Sequence, residues 1–76
     1  MKGWIKKVNG DEIIYTTRKK VIGNTYHTKI IKRKNPKQTI VKILNENKVI
    51  DNVEFKTTTK AMRYAREMME EIYRGE

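Results

Sequence analysis

Cysteine is absent from this 76-residue sequence, and proline, tryptophan, phenylalanine and histidine occur once each. Without cysteine, neither a disulfide nor a thiolate metal site can stabilise the fold, which must therefore depend on packing. No apolar run approaches the roughly 18 residues of a membrane-spanning helix, and residues 1–13 lack the apolar segment of a signal peptide. We expect a cytoplasmic protein with no membrane partner.

The motifs of common catalytic sites are also missing. The sequence has no Gly-rich phosphate loop, no Gly-x-Ser-x-Gly nucleophile elbow and no His-Glu-x-x-His zinc motif. His27 has neither a second histidine nor a cysteine with which to share a metal, and Asp11-Glu12 is explained by its position beside a turn. A chain this short buries only about 60 % of its unfolded surface, which leaves no deep pocket. We expect a single domain over residues 1–76 that is not an enzyme and binds neither metal nor cofactor.

Acidic residues are scarce in the first half of the chain. Residues 1–37 contain 11 basic and 2 acidic residues, whereas residues 38–76 contain 7 of each, so the formal net charge of +9 lies entirely in the first half. This asymmetry indicates that one group of structural elements carries a positive field, which favours a polyanionic partner. The alternative is a solvated face that keeps the protein soluble.

Basic and aromatic residues of the first half are the candidate contacts to nucleic acid. Lysine and arginine would neutralise phosphates, and tyrosines beside them could stack on bases. Core packing is the competing explanation for the aromatic residues, and we favour it for Trp4. The candidate nucleic-acid-binding residues are Lys6, Tyr15, Arg18, Lys19, Lys20, Tyr26, Lys29, Lys32, Arg33, Lys34 and Lys37.

An Asn-Gly pair predicts a hairpin near the N-terminus. Asn9-Gly10 separates two β-rich segments, and this dipeptide is the strongest short-range signal for a two-residue type I′ turn. That turn would place Trp4 opposite Tyr15, an aromatic pair, and Lys7 opposite Glu12, an ion pair. Period-two alternation leaves the buried face open. It is either the face with Trp4, Val8, Ile13 and Tyr15 or the face with Ile5 and Ile14.

Further turn signals divide the chain up to residue 56. Residues 18–25 are typical of a longer loop or of an extended, twisted ribbon end. Residues 35–37 are typical of a turn around Pro36, and residues 45–48 of another turn. The segments between these breaks are rich in β-branched residues, so four to five strands are expected within residues 3–56.

After residue 57 the apolar spacing changes to three and four, which predicts an amphipathic helix over about residues 58–74 with Thr57 or Thr58 as N-cap. The expected fold is α+β, an antiparallel β-meander with this helix packed on the sheet. Flexible methionines extend the apolar stripe and also suit an interface, so a homodimer through the helix is a second interpretation of the stripe. The stripe has Ala61, Ala65, Met68 and Ile72 at its centre, with Met62, Met69 and Tyr73 at its margins.

A strand-to-helix pattern is formed by Val53-Glu54-Phe55-Lys56-Thr57, followed by Lys60-Ala61 and Tyr64-Ala65. With this pattern, residues 26–73 resemble the N-terminal arm-type DNA-binding domain of tyrosine recombinases. These residues are similar to the last-strand Phe, the N-cap Thr and the early helical Ala of that family. The resemblance implies a three-stranded sheet with a C-terminal helix, whose sheet enters the major groove of DNA. Lys60 replaces the family's usual acidic residue, and the hairpin of residues 1–17 is additional.

The order of strands and helix is also similar to the single-strand-binding transcription coactivators of the positive-cofactor-four type. That likeness implies a sheet used as a stacking platform and a helix used for dimerisation.

From all of these features we expect a small DNA-binding protein, part of a mobile element or a regulator, that contacts phosphates through a sheet face. Double-stranded DNA is favoured, and a single strand is possible. The alternative is a protein-interaction module, an adaptor or inhibitor that docks on an acidic partner and uses its lysines and arginines for steering.

Overall fold

The computed structural model describes residues 2–75, which form five strands and one helix. The α+β fold, the strands within residues 3–56 and the helix over residues 58–74 agree with the sequence predictions. The elements are β1 (Trp4–Asn9), β2 (Glu12–Thr17), β3 (Tyr26–Lys34), β4 (Lys37–Asn45), β5 (Lys48–Phe55) and α1 (Thr58–Arg74).

Each strand pairs in antiparallel fashion with the next one along the chain, giving the order β1-β2-β3-β4-β5. α1 packs against one face, which we call the covered face; the other we call the open face. Because side chains alternate along a strand, Ile30 and Val41 point to α1, whereas their neighbours Lys29 and Lys42 point to the open face.

The core lies between the covered face and α1. Thr57 caps the helix by accepting a hydrogen bond from the Lys60 amide, and α1 then buries Ala61, Ala65 and Met69 at a spacing of four. The two alanines let the first turns approach the sheet closely. Met69, only 2 % exposed, is therefore a core residue, and its placement at the margin of the stripe was wrong.

The C-terminal end of α1 holds the start of β1. The ring of Tyr73 meets that of Trp4 edge to face, with ring centroids 5.7 Å apart, and the Tyr73 hydroxyl donates to the carbonyl of Gly3. Gly3 has φ +87°, and a Cβ there would lie 2.9 Å from the Tyr73 ring, so glycine is required. Trp4 is 3 % exposed, as expected for a core residue.

The N-terminal hairpin forms, but its register differs from the predicted one. Asn9 pairs with Glu12, so the two central residues of the turn are Gly10 and Asp11. Gly10 has φ +62° and Asp11 does not have a positive φ, as in a type II′ turn, which needs glycine at its first central position. The predicted Trp4/Tyr15 and Lys7/Glu12 pairs are wrong, since the actual pairs are Trp4 with Thr17, Lys6 with Tyr15 and Lys7 with Ile14.

Relative to the predicted register, each residue of β1 is paired with the β2 residue two positions further along. Because side chains alternate with a period of two, this shift changes the cross-strand partners but leaves every side chain on the same face of the sheet. The face that carries Trp4 and Tyr15 is the covered one, which decides the question the sequence left open. Val8 lies on the same face beyond the reach of α1 and is 61 % exposed.

The predicted turns also form. The Asn35-Pro36 peptide bond is cis and joins β3 to β4, with Lys34 opposite Lys37. Residues 18–25 connect β2 to β3. Within residues 2–75, no helix is both long enough and apolar enough to cross a membrane.

Candidate nucleic-acid interface

Three lysines lie in one row across the open face. The register places Lys7 of β1 beside Ile14, Ile14 beside Lys29 of β3, and Lys29 directly opposite Lys42 of β4. We call Lys7, Lys29 and Lys42 the lysine row. Neighbouring strands are about 4.8 Å apart, so the row spans three intervals, or about 14 Å, from Lys7 to Lys42.

The lysine row works against the stability of the sheet. Like charges directly opposite each other on paired strands are destabilising, because their Cβ atoms are only about 5 Å apart. The one ion pair found among residues 2–75 joins Arg74 to Glu71 on α1, so no carboxylate is bonded to Lys29 or Lys42. Their positive charge is therefore available to a ligand.

The predicted cluster Lys32-Arg33-Lys34 does not lie on one face. Arg33 points to the open side, whereas Lys32 and Lys34 point to the side of α1, as does Lys37 opposite Lys34. With Lys56, which precedes the N-cap, these three lysines surround a groove of about 250 Å³. Arg33, Gln38, Thr39, Thr58 and the single carboxylate Asp11 also line it, so all three residues of the predicted cluster border this groove at the end of the sheet. We call Lys32, Lys34, Lys37 and Lys56 the end cluster.

The predicted cluster Arg18-Lys19-Lys20 is exposed at the opposite end of the sheet. It begins the β2–β3 connection, and we call residues 18–24 the tip loop. The tip loop is well anchored: the Arg18 amide donates to the Gly3 carbonyl at 3.0 Å, and the side chain of Val21 is 1 % exposed. Its three basic side chains are therefore presented by an ordered support.

The remaining candidates lie on the covered face. Lys6 is exposed on edge strand β1, opposite Tyr15. Tyr15 is 7 % exposed and belongs to the core, and Tyr26 packs against that core from a half-buried position. Base stacking by Tyr15 stays a prediction, and the structure buries its side chain in the core, while Tyr26 also faces away from the lysine row.

His27 lies on the open face next to the lysine row. Its Nδ1 is 2.9 Å from the hydroxyl of Thr16 across the β2–β3 pair. Among residues 2–75 no three His, Cys, Asp or Glu side chains come close enough together to hold a metal ion.

An ion-dipole contact lies away from these clusters, at the β5 side of the covered face. The Tyr64 hydroxyl donates to the carboxylate of Asp51, and this hydrogen bond, followed by burial and the nearby negative charge, raises the pKa of Tyr64 to about 12. The hydrogen bond joins α1 to β5, so we assign it a role in the stability of the fold.

Sequence reasoning missed Lys7, Lys42 and Lys56. A signal for Lys42 was present, because it lies between Val41 and Ile43 in an otherwise apolar run, and alternation must send it to the face opposite theirs. Its position against Lys29 depends on the β3–β4 register, which the turn at Pro36 sets.

The structure thus divides most of the predicted basic residues among the lysine row, the end cluster and the tip loop, whereas Lys6 lies on β1 and Arg33 on the open side of β3. Comparison with protein-family models, with curated proteins and with solved structures finds no match to this chain.

Proposed function

We propose that this chain is a small DNA-binding protein that holds double-stranded DNA by its phosphates through the open face. The observation that carries the proposal is the lysine row, in which Lys29 and Lys42 stand directly opposite each other on the uncovered side of the sheet. A like-charge pair at that position costs stability, which a polyanionic ligand would recover when it binds.

The dimensions of the row suit a duplex. Lys7 and Lys42 are separated by about 14 Å, which is close to the width of about 12 Å of the B-DNA major groove. Lys7 could therefore reach the phosphates on one side of the groove while Lys29 and Lys42 reach those on the other. The five strands together are about 19 Å wide, so the whole sheet cannot enter the groove as the three-stranded sheet of the arm-type domains does.

The distribution of aromatic residues favours a duplex over a single strand. Binding of single strands without sequence preference uses aromatic side chains on which successive bases stack. The strand positions that face the open side carry no Trp, Tyr or Phe, because Trp4, Tyr15 and Tyr26 all face α1. Contacts to the sugar-phosphate backbone need no such platform.

The test is a fluorescence anisotropy titration with a random 20-base-pair duplex and a random single strand, at about 50 and 200 mM salt. The variant Lys29→Ala with Lys42→Ala should lower the slope of log K against log salt by about 1.8, since each phosphate contact contributes about 0.9. The matched control, Lys60→Ala with Arg63→Ala, removes two exposed charges from α1 and should leave the slope close to that of the wild type.

Three results would contradict the proposal: no binding of the duplex at low salt, an equal loss in the control variant, or tighter binding of the single strand than of the duplex. The last result would favour the stacking mode of the single-strand-binding coactivators.

A protein-interaction module is the second candidate function. The observation that favours it is the exposure of aliphatic side chains on the two edge strands, where Ile5, Val49 and Ile50 are each about half exposed. An acidic protein partner would be held by these side chains together with the lysine row. A helix-mediated homodimer would have to use the half-buried Met62, Met68 and Ile72, because Met69 is buried within the chain.

A further inference from the structure

The tip loop contains a strained and exposed isoleucine. Ile22 has φ +49°, a left-handed conformation that is a genuine outlier for a β-branched residue. Its side chain is 64 % exposed, the highest value among the large hydrophobic residues described. An isoleucine at this position does not stabilise the fold, because its side chain buries little apolar surface and its backbone conformation is strained.

The conformation of Ile22 is imposed by its surroundings. Val21 and Asn24 exchange two backbone hydrogen bonds, of 2.8 and 3.0 Å, and the Asn24 side chain donates to the carbonyl of Ile22. Gly23 follows at φ +77°, so Ile22-Gly23 is a tight two-residue turn with both central residues left-handed. Such turns normally carry Asn-Gly, and this one projects an aliphatic group instead.

The base of the tip loop is held as firmly as its turn. The Thr25 amide donates to the Glu46 carboxylate and the Glu46 amide donates to the Thr25 carbonyl, which ties the loop to the β4–β5 turn. Strained residues that persist in a well-supported loop point to function.

We infer that Ile22 is a wedge that inserts between base pairs of the bound duplex while Arg18, Lys19 and Lys20 hold the flanking phosphates. This inference rests on the proposed function and names how the bound DNA is deformed. Proteins that kink DNA combine cationic side chains with a single aliphatic group pushed into a base step, which partly unstacks it. The tip loop has both parts within seven residues, and a Cβ on Gly23 would meet nothing within 4 Å, so the protein itself does not crowd this turn.

A lipid surface is the other apolar medium that a basic loop could enter. Membrane-surface binding scales with the apolar area buried and typically uses a whole amphipathic face with several large side chains. One isoleucine offers little such area, whereas one aliphatic side chain is enough for a base step. The observations therefore favour DNA.

The test variant is Ile22→Asn, since asparagine tolerates the left-handed region and keeps the turn while removing the aliphatic wedge. The matched control is Val8→Asn, which makes the same polarity change at a residue that is 61 % exposed on β1. Neither substitution changes charge. Relaxation of a closed circular plasmid by a topoisomerase in the presence of the protein detects unstacking at any sequence, as a change in linking number.

The wild type and Val8→Asn should shift the linking number, and Ile22→Asn should not. Ile22→Asn should bind the duplex about threefold to tenfold more weakly with an unchanged salt slope, because the phosphate contacts remain. Its thermal midpoint should equal or exceed that of the wild type, which shows that the variant is folded.

Four outcomes overturn the wedge. A wild type that binds the plasmid without changing its linking number overturns the wedge and leaves the proposed function intact, and a wild type that does not bind DNA overturns both. An Ile22→Asn variant that shifts the linking number like the wild type overturns the wedge alone. Loss of binding by Ile22→Asn to vesicles of phosphatidylglycerol and phosphatidylcholine, with DNA binding unaffected, replaces the wedge by a membrane contact.

Discussion

The two faces of the sheet are built from the same five strands and differ at nearly every position. One row of the covered face reads Val8, Ile13, Ile30, Val41 and Val53, all apolar, whereas the next row, on the open face, reads Lys7, Ile14, Lys29, Lys42 and Asn52. Apart from Val8, which α1 does not reach, the first row lies under α1, and the second row carries a repulsive lysine pair. The difference teaches that stability is concentrated on one face, which leaves the other free to carry charge.

The open face also contains one buried apolar side chain, because Ile40 lies on this face and is only 2 % exposed. It is flanked across the sheet by Ile31 on β3 and by Glu54 on β5. A small aliphatic patch therefore supports the open face near its centre, and the stems of neighbouring lysines can cover it.

The largest expected effect breaks the covered face. Ala65 is fully buried between α1 and the sheet, so Ala65→Glu would bury an unpaired carboxylate, at a cost of several kcal/mol against a total stability of about 5 kcal/mol. The variant should be unfolded in circular dichroism. Its control is Arg66→Glu, one residue further along and on the exposed side of α1. Urea denaturation should show that this control changes the free energy of unfolding by no more than about 0.5 kcal/mol. A folded Ala65→Glu would mean that α1 does not pack through this residue.

A smaller effect is expected where α1 is fastened to β5. Tyr64→Phe removes the hydrogen bond to the Asp51 carboxylate, which should cost about 1.5 kcal/mol, near the lower end for a bond to a charged group at a half-buried site.

The same contact predicts a pH dependence. The pKa of Tyr64 is raised to about 12 in the folded state from 10.0, so the unfolded chain loses this proton first as the pH rises. The stabilisation is fully present below pH 10 and is lost between pH 10 and 12. Thermal unfolding across that range should show a steeper fall in midpoint for the wild type than for Tyr64→Phe, and parallel curves would remove the role given to the contact.

The elements were predictable from the sequence because each leaves a local signal. Gly10, Gly23 and Pro36 mark turns, and the spacing of Ala61 and Ala65 marks the helix. The division of residues between the two faces was not predictable in the hairpin, because alternation defines two faces without saying which one α1 will cover. That choice is made by Trp4 and Tyr73, which are distant in sequence and meet only in the folded chain.

The candidate site was predictable in composition but not in arrangement. The excess of charge in residues 1–37 predicted basic contacts on β3 and its neighbours, but adjacent residues of a strand point to opposite sides, so β3 divides Lys32, Arg33 and Lys34 between its two faces. The lysine row is created by register across four strands, and Lys42 belongs to it despite lying in the half of the chain that has no net charge. The buried positions of the tyrosines depend on the same assignment of faces.

A further prediction concerns the hairpin, where the register between β1 and β2 is set. Gly10→Ala should cost about 1 kcal/mol, because Gly10 has φ +62° and alanine is strained there. Asn9→Ala should be close to neutral, since Asn9 is an exposed strand residue without a positive φ. Urea denaturation of the two variants distinguishes the registers, because a turn centred on Asn9-Gly10 would make both substitutions costly.

The smallest expected effect has the opposite sign and belongs to the open face. Replacing Lys29 and Lys42 with alanine removes a like-charge pair and should raise the free energy of unfolding by a few tenths of a kcal/mol, the size of one repulsive cross-strand pair. The gain should shrink as salt is raised, because repulsion between solvated amines is screened beyond a Debye length of about 8 Å at physiological ionic strength. Thermal unfolding at low and high salt measures both quantities, with Lys19→Ala and Lys20→Ala in the tip loop as a control that removes the same charge from a site without a paired strand. If the variant is more stable and binds DNA less well, the lysine pair lowers stability and contributes to binding. If the variant is less stable than the wild type at every salt concentration, the packing of the lysine stems stabilises the open face by more than the repulsion of their charges destabilises it.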